Sequence, residues 1–223
     1  MNARILVVID DVFEMSTLVA ALRMFEMDVI GEAKSEIVAL NMLRRLQPDV
    51  ILVDMQIAGT SAVKIAIRMR KENPNIGVVI LNSCSDLRLI GESIEDVPAG
   101  SKILLKRSIV DLSVLCAAIE ESKISGAEKH KVAWINGNTS IQEKGILSLM
   151  AHLTDTQVEV LRLVANGMTN AQIGRSRYVS EKSVEQVISR VAQELNVLPD
   201  RNKNMRVQLV SEYYRWLGAP AQQ

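Results

Sequence analysis

The sequence predicts an α/β doubly wound parallel five-stranded domain followed by an all-α four-helix helix-turn-helix domain. Three observations predict it. Buried-type apolar runs alternate with helical patterns through the first half of the chain, the pattern breaks into Lys/Gly/Asn-rich sequence between Ser122 and Met150, and every periodic segment beyond it is helical. The expected boundaries are 1–122 for the first domain, 123–150 for a linker and 151–223 for the second domain.

Arg4 to Ile9 is a continuous β-branched and aliphatic run that stops at Asp10-Asp11, as a strand buried on both faces does. Leu18, Val19, Leu22 and Phe25 then recur at helical spacing, and Val29 to Ala33 is a short second strand. Glu36 to Leu46 is amphipathic, and Val50-Ile51-Leu52-Val53-Asp54 is a third buried strand, again ending in an acid. Val63 to Met69 is helical, Gly77 to Leu81 is a fourth strand, Leu87 to Ile94 is a candidate helix, Lys102 to Leu105 is a fifth strand, and Ile109 to Glu121 closes the series as a helix. Such an alternation places function at the carboxyl ends of the strands. Ser125-Gly126 and Asn136-Gly137-Asn138 mark the linker. Past it, Thr154-Asp155-Thr156-Gln157 and Thr169-Asn170-Ala171-Gln172 are capping boxes, Asn166-Gly167 ends the first helix, and Ser180 caps a third helix running to about Leu195. A fourth helix is expected from about Lys203 to Leu217.

Composition sets the outer limits. With 48% hydrophobic and 23% charged residues over 223, the chain can bury a core, which excludes a disordered or coiled-coil protein; the 3% aromatic share leaves that core to Ile, Leu, Val, Met and Ala. Cys84 and Cys116 are too few for a disulfide framework and too isolated for a thiolate metal site, so a reducing cytoplasm is the expected setting. No apolar run approaches the roughly 20 residues that span a bilayer, and the N-terminus starts on a strand-like segment without a charged leader, so no membrane association is expected.

Asp10, Asp11 and Asp54 end two strands that can lie side by side, so their carboxylates are expected to converge at one point. Three carboxylates in one place repel and call for a cation, and hard oxygen ligands suit Mg²⁺. Lys106, at the end of the fifth strand, reaches the same pocket, where a metal and an ammonium together suit a phosphoryl group. These residues resemble the receiver domain of two-component response regulators over roughly residues 3–121: the pair Asp10-Asp11, the single acid Asp54 after a hydrophobic strand, and Leu104-Leu105-Lys106 stand in the family's order and spacing. The resemblance implies that Asp54 is the phospho-acceptor, that Asp10 and Asp11 hold Mg²⁺ with the backbone carbonyl of Gln56, that Lys106 binds the phosphoryl oxygens, and that the donor is a sensor histidine kinase. The sequence also departs from the pattern. The switch hydroxyl directly after the fourth strand falls on Asn82, with Ser83 one place later, so either can fill the role; the aromatic or His switch position on the fifth strand is Ile103, and the Pro usual four residues after the nucleophile is Ala58. An altered relay is therefore expected.

In the second domain, Leu153-Thr154, Glu159-Val160-Leu161, Gly167-Met168-Thr169-Asn170, Ile173 and Ser180-Glu181-Lys182-Ser183-Val184 resemble the LuxR-type helix-turn-helix of the NarL/FixJ response regulators over about residues 151–217. Leu161, Val164, Ile173, Val184 and Leu195 are expected as its apolar core. Candidate DNA contacts lie on the third helix: Lys182, Gln186, Ser189 and Arg190, with Arg175 and Arg177 ahead of it for backbone phosphates. Glu185 and Val187 stand where family members commonly carry Lys and His. Residues 1–150 hold 17 basic and 19 acidic side chains and residues 151–223 hold 9 and 7, so the 26 against 26 balance of the whole chain resolves into a weak electrostatic footprint for DNA, and two copies on paired half-sites are expected. Val207, Val210, Tyr214 and Trp216 can supply the dimer seam or pack on their own domain.

Together these features describe a cytoplasmic transcriptional response regulator, not an enzyme, in which phosphorylation of Asp54 controls homodimerisation and promoter DNA binding. The alternative is a receiver-containing protein-interaction regulator with little direct DNA binding, or with phosphorylation-independent control, to which Glu185 and Val187 point. A haloacid-dehalogenase-like hydrolase would need a second acid two residues after the nucleophile, where Gln56 stands.

Overall fold

The computed structural model describes residues 2–109, 111–128, 131–135, 148–197 and 202–218. Strands β1 (Arg4–Val8), β2 (Asp28–Ala33), β3 (Val50–Asp54), β4 (Gly77–Asn82), β5 (Lys102–Leu105) and β6 (Ala133–Ile135) form one parallel sheet in the order β2-β1-β3-β4-β5-β6. Every residue of β3 and β4 is buried, which is why both read as unbroken apolar runs and not as alternating ones. Helices α1 (Val12–Met24), α2 (Glu36–Leu46), α3 (Ala62–Glu72) and α4 (Leu112–Glu128) supply the crossovers from β1 to β2, β2 to β3, β3 to β4 and β5 to β6. Asp11, Ser35 and Ser61 cap the first three through their side chains, each accepting one of the orphan N–H groups of the first turn. The sheet order reverses at β1, so a crevice opens where the carboxyl ends of β1 and β3 lie side by side.

Three local expectations are corrected. The candidate helix at Leu87 to Ile94 is instead a pair of 3₁₀ turns, Leu87–Ile90 and Ile94–Asp96. Asp86 caps the first, Gly91 ends it at φ +79° in the left-handed region, and Pro98 follows, so no stretch long enough for an α-helix survives between breakers. The sheet has a sixth strand: Ala133–Ile135, inside the expected linker, pairs in parallel with β5. Ser125 and Gly126 lie within α4 and do not break it; Asn136-Gly137-Asn138 lie outside the described residues.

The chain divides into two compact units, and the division is not a single cut. One unit comprises Met1–Ser83 with Ile94–Thr139; the other comprises Cys84–Ser93 with Ser140–Gln223. The second unit has a helical turn at 148–152 and helices α5 (Asp155–Ala165), α6 (Asn170–Arg177), α7 (Glu181–Glu194) and α8 (Met205–Trp216). Both expected capping boxes are present, Thr154 with Gln157 and Thr169 with Gln172, and Ser180 caps α7. Between α6 and α7 the chain folds back so tightly that a Cβ on Gly174 would lie 2.7 Å from the Val179 carbonyl oxygen, and Tyr178 takes the left-handed conformation at φ 56°. Leu161, Val164, Ile173, Val184 and Leu195 are buried together, joined by Leu209, Tyr213 and Trp216 of α8 and by Cys84 and Leu89. Trp216 is fully buried in this core, so it is removed from any dimer seam; Val207 and Tyr214 are the exposed residues of that set and Val210 is half-buried. Among the described residues no helix is long and apolar enough to cross a membrane.

Candidate functional site

The carboxyl ends of β3 and β5 and the first turn of α1 deliver three charged side chains to one place. Asp54, the last residue of β3, is 8% exposed. Lys106, directly after β5, donates from Nζ to Asp54 Oδ2 at 2.8 Å and also reaches Glu14 Oε1 at 2.7 Å. Burial pushes the Asp54 carboxyl up from its ordinary range, and the Lys106 hydrogen bond only partly offsets this. Burial alone would lower the Lys106 ammonium, but its hydrogen bonds to Asp54 and then Glu14 outweigh it and its net shift is upward. The two directions are compatible: one ammonium serves two carboxylates, and Glu14 adds repulsion to the more buried Asp54. The Gln56 backbone also hydrogen-bonds Asp54 and lowers its pKa.

Glu14, paired with Lys106, is a member of this cluster that no sequence motif announces. It lies in the first turn of α1, which begins directly after the acidic pair, so an acid three or four residues beyond Asp10-Asp11 was the available signal.

The other two acids are placed differently from the expected convergence. Asp11 caps α1, its Oδ1 accepting from Glu14 N at 2.7 Å, and Asp10 Oδ2 accepts from Ala58 N at 2.8 Å. Each carboxylate takes a backbone N–H in place of crowding its neighbours, and among the described residues no three His, Cys, Asp or Glu side chains are grouped to hold a metal ion. The donor chemistry nonetheless fits a hard cation, since all three are carboxylates and the second oxygen of Asp10 and of Asp11 makes no hydrogen bond among the described residues. Asn82 is buried at the end of β4, opposite Leu105, whereas Ser83 is exposed. Ile103 is fully buried and Ala58 exposed.

In the helical unit, Lys182, Glu185, Gln186, Ser189 and Arg190 are all exposed on one face of α7, opposite the buried Val184, Ile188 and Val191. Arg175 is exposed as well. Arg177 is turned the other way, into an ion pair with Glu159 of α5, and half-buried Val187 packs against the core.

The receiver-domain model for response regulators matches residues 5–120, and the model described as bacterial regulatory proteins of the luxR family matches residues 151–204. The response regulator protein VraR of Staphylococcus saprophyticus is 27% identical over 172 residues, which cover 77% of this chain and 79% of that protein. The transcriptional regulatory protein DegU of Brevibacillus brevis is 26% identical over 203 residues, covering 84% and 82%. The solved RcsB response regulator–DNA complex shares the fold at a TM-score of 0.57 with 19% identity, over 97% of this chain and 99% of that one.

Proposed function

The chain belongs to the response regulators, with a receiver domain ahead of a LuxR-family helix-turn-helix domain, and from that premise we propose that phosphoryl transfer from a sensor histidine kinase to Asp54 controls homodimerisation and promoter DNA binding in the cytoplasm. The contact that carries this reading is Lys106 Nζ at 2.8 Å from Asp54 Oδ2, an ammonium already seated where phosphoryl oxygens would arrive.

The Asp54 oxygen not held by Lys106 attacks the phosphorus of a phosphohistidine. A P–O bond forms, the P–N bond breaks, and the imidazole leaves with the electron pair and takes up a proton. Lys106 then exchanges its carboxylate oxygen for a phosphoryl oxygen while Glu14 keeps its other hydrogen bond in place. Asp10, Asp11, Asp54 and the Gln56 carbonyl would hold Mg²⁺, which supplies neutralisation of the phosphoryl charge when bound. Asn82, buried at the strand end, stands in the switch position and offers an amide donor in place of a hydroxyl. On DNA, Lys182, Gln186, Ser189, Arg190 and Arg175 form the contact face, with Gln186 suited to adenine and the cations to phosphates.

Labelling with acetyl phosphate in the presence of Mg²⁺, on wild type and Asp54→Ala, followed by promoter-DNA binding, tests the whole reading. A label lost in Asp54→Ala, with tighter DNA binding only in the labelled protein, is the expected result; equal DNA affinity in labelled and unlabelled protein overturns the phospho-switch. A second reading, a protein-interaction regulator with little direct DNA binding, is favoured by the exposed carboxylate of Glu185 on the α7 face and the engagement of Arg177 by Glu159. Salt dependence separates the two, because a near-zero slope of log affinity against log salt means few phosphate contacts.

A further inference from the structure

An ammonium carries three N–H donors and no acceptor. Around Lys106 Nζ three carboxylate oxygens answer them: Asp54 Oδ2 at 2.8 Å, Glu14 Oε1 at 2.7 Å and Glu14 Oε2 at 3.0 Å. Asp54 therefore takes one donor and Glu14 takes two. A phosphoryl oxygen on Asp54 reaches Lys106 only when one of these contacts gives way, and the contact exchanged in the transfer is the single one to Asp54. The phosphoryl group then shares its ammonium with a second anion that was there before it.

Glu14 is held at that nitrogen by its backbone as well as by the ion pair. It is the third residue of α1, where Asp11 Oδ1 accepts its N–H at 2.7 Å and the Asp11 carbonyl accepts from Met15 N at 3.0 Å. Met15, Val19 and Leu22 bury the helix against the sheet. The carboxylate is thus tethered beside Lys106 at a high effective concentration, which an anion arriving from solution has to overcome. Water screens the group only in part: the side chain of Lys106 is 26% exposed, that of Asp54 12% and that of Glu14 35%.

Charge sets the direction of the effect. Asp10, Asp11 and Asp54 are the three acids of the receiver pattern, and Glu14 adds a fourth carboxylate on the one ammonium. Such an excess attracts a divalent cation and repels a group that replaces the single charge of Asp54 with about two.

We propose that Glu14 is a resident anion of the phosphoryl site, which competes through Lys106 with the phosphoryl group and so sets how tightly and how long the Asp54 pocket keeps it. This rests on the reading of Asp54 as phospho-acceptor. Glu14 is a positioning residue, because it acts on the phosphoryl group by way of Lys106. If its role were only to steady Lys106, its removal would weaken the binding of cation and phosphoryl group alike; a competing anion gives the two opposite signs.

The full-length chain tests this as wild type, Glu14→Gln, Glu14→Ala and Asp54→Ala. Calorimetric titration with Mg²⁺ alone reads the cation, ¹⁹F NMR of beryllofluoride at saturating Mg²⁺ reads a phosphoryl analogue, and intact mass after removal of acetyl phosphate reads the lifetime of the phosphoryl group. Glu14→Gln keeps the length of the side chain and the Asp11 cap, and Glu14→Ala checks that the amide itself is not responsible. In both, the beryllofluoride dissociation constant is expected to fall about tenfold, the phosphoryl mass to persist about tenfold longer, and the Mg²⁺ dissociation constant to rise about threefold. Beryllofluoride binding that is unchanged or weaker in both Glu14 variants overturns the proposal. So does tighter beryllofluoride binding accompanied by tighter Mg²⁺ binding, since the gain then comes from a better-formed pocket and not from removal of a competitor. A separate failure is visible in Asp54→Ala: beryllofluoride bound there as tightly as in wild type defeats the phospho-acceptor reading itself.

Discussion

Two crossovers of the receiver domain do the same topological work with opposite means. The connection from β3 to β4 contains α3, eleven residues whose Ala62, Val63, Ile65, Ala66 and Met69 are buried on the first unit's side. The connection from β4 to β5 has no α-helix, and ten of its residues, Cys84–Ser93, are built into the other unit. The difference lies in spacing and breakers. The buried residues of α3 recur at three and four and so fill one helical face; Cys84, Leu87, Leu89 and Ile90 form no such stripe, and Gly91 and Pro98 stop a helix from extending. A parallel sheet thus tolerates a crossover that does not cover it, provided the apolar residues of that crossover are buried elsewhere.

Deleting a buried side chain from each crossover breaks the comparison most sharply. Met69→Ala in α3 is expected to destabilise the receiver unit by about 2–5 kcal/mol and to leave exchange in α5 to α8 unchanged. Leu89→Ala, on the same scale or slightly less, is expected to do the reverse, loosening α8 while β1 and β3 keep their protection. Residue-resolved exchange on both variants reads the two patterns directly. Gly91→Ala is a finer probe. It forces an L side chain into φ +79° beside Arg162 and is expected to lower the melting temperature of the helical unit by an amount corresponding to about 1 kcal/mol.

The smallest effect is a pH dependence confined to the receiver unit. Burial raises the folded-state pKa of Asp54 above its ordinary 3.8, so the folded protein takes up this proton at higher pH than the unfolded chain. Stability relative to Asp54→Asn is therefore expected to rise as pH falls from neutral through the raised pKa towards 3.8, and to level off below it. Denaturant titrations of the two proteins across that range check the sign; a gain on going to higher pH would mean that Lys106, not burial, governs Asp54.

Much of the fold was legible because parallel strands buried on both faces leave continuous apolar runs, and the capping boxes of the helical unit are local chemistry that needs no partner. Asp54 and Lys106 were legible for the same reason: they are the first charges after such runs, and strand ends converge. Glu14 was not, because its role depends on where the first turn of α1 points. The three carboxylates were expected to crowd, and the backbone N–H groups of Glu14 and Ala58 drew two of them aside. β6 is three residues inside a polar stretch, too short to show a period. The placement of 84–93 was hidden for a deeper reason: Leu89 and Tyr213 are 124 residues apart, and nothing local in either marks the other.

That separation also orders events at the ribosome. The receiver strands can pair as soon as β5 has emerged, but the last anchor of 84–93 belongs to α8, near the end of the chain. Until α8 is made, the apolar site that takes Leu89 lacks Leu209, Tyr213 and Trp216, so a nascent chain carries a folded sheet with an incompletely sheltered apolar loop after β4. Closure of the helical unit is then a late, long-range step whose rate is set by bringing together residues separated by more than half the chain.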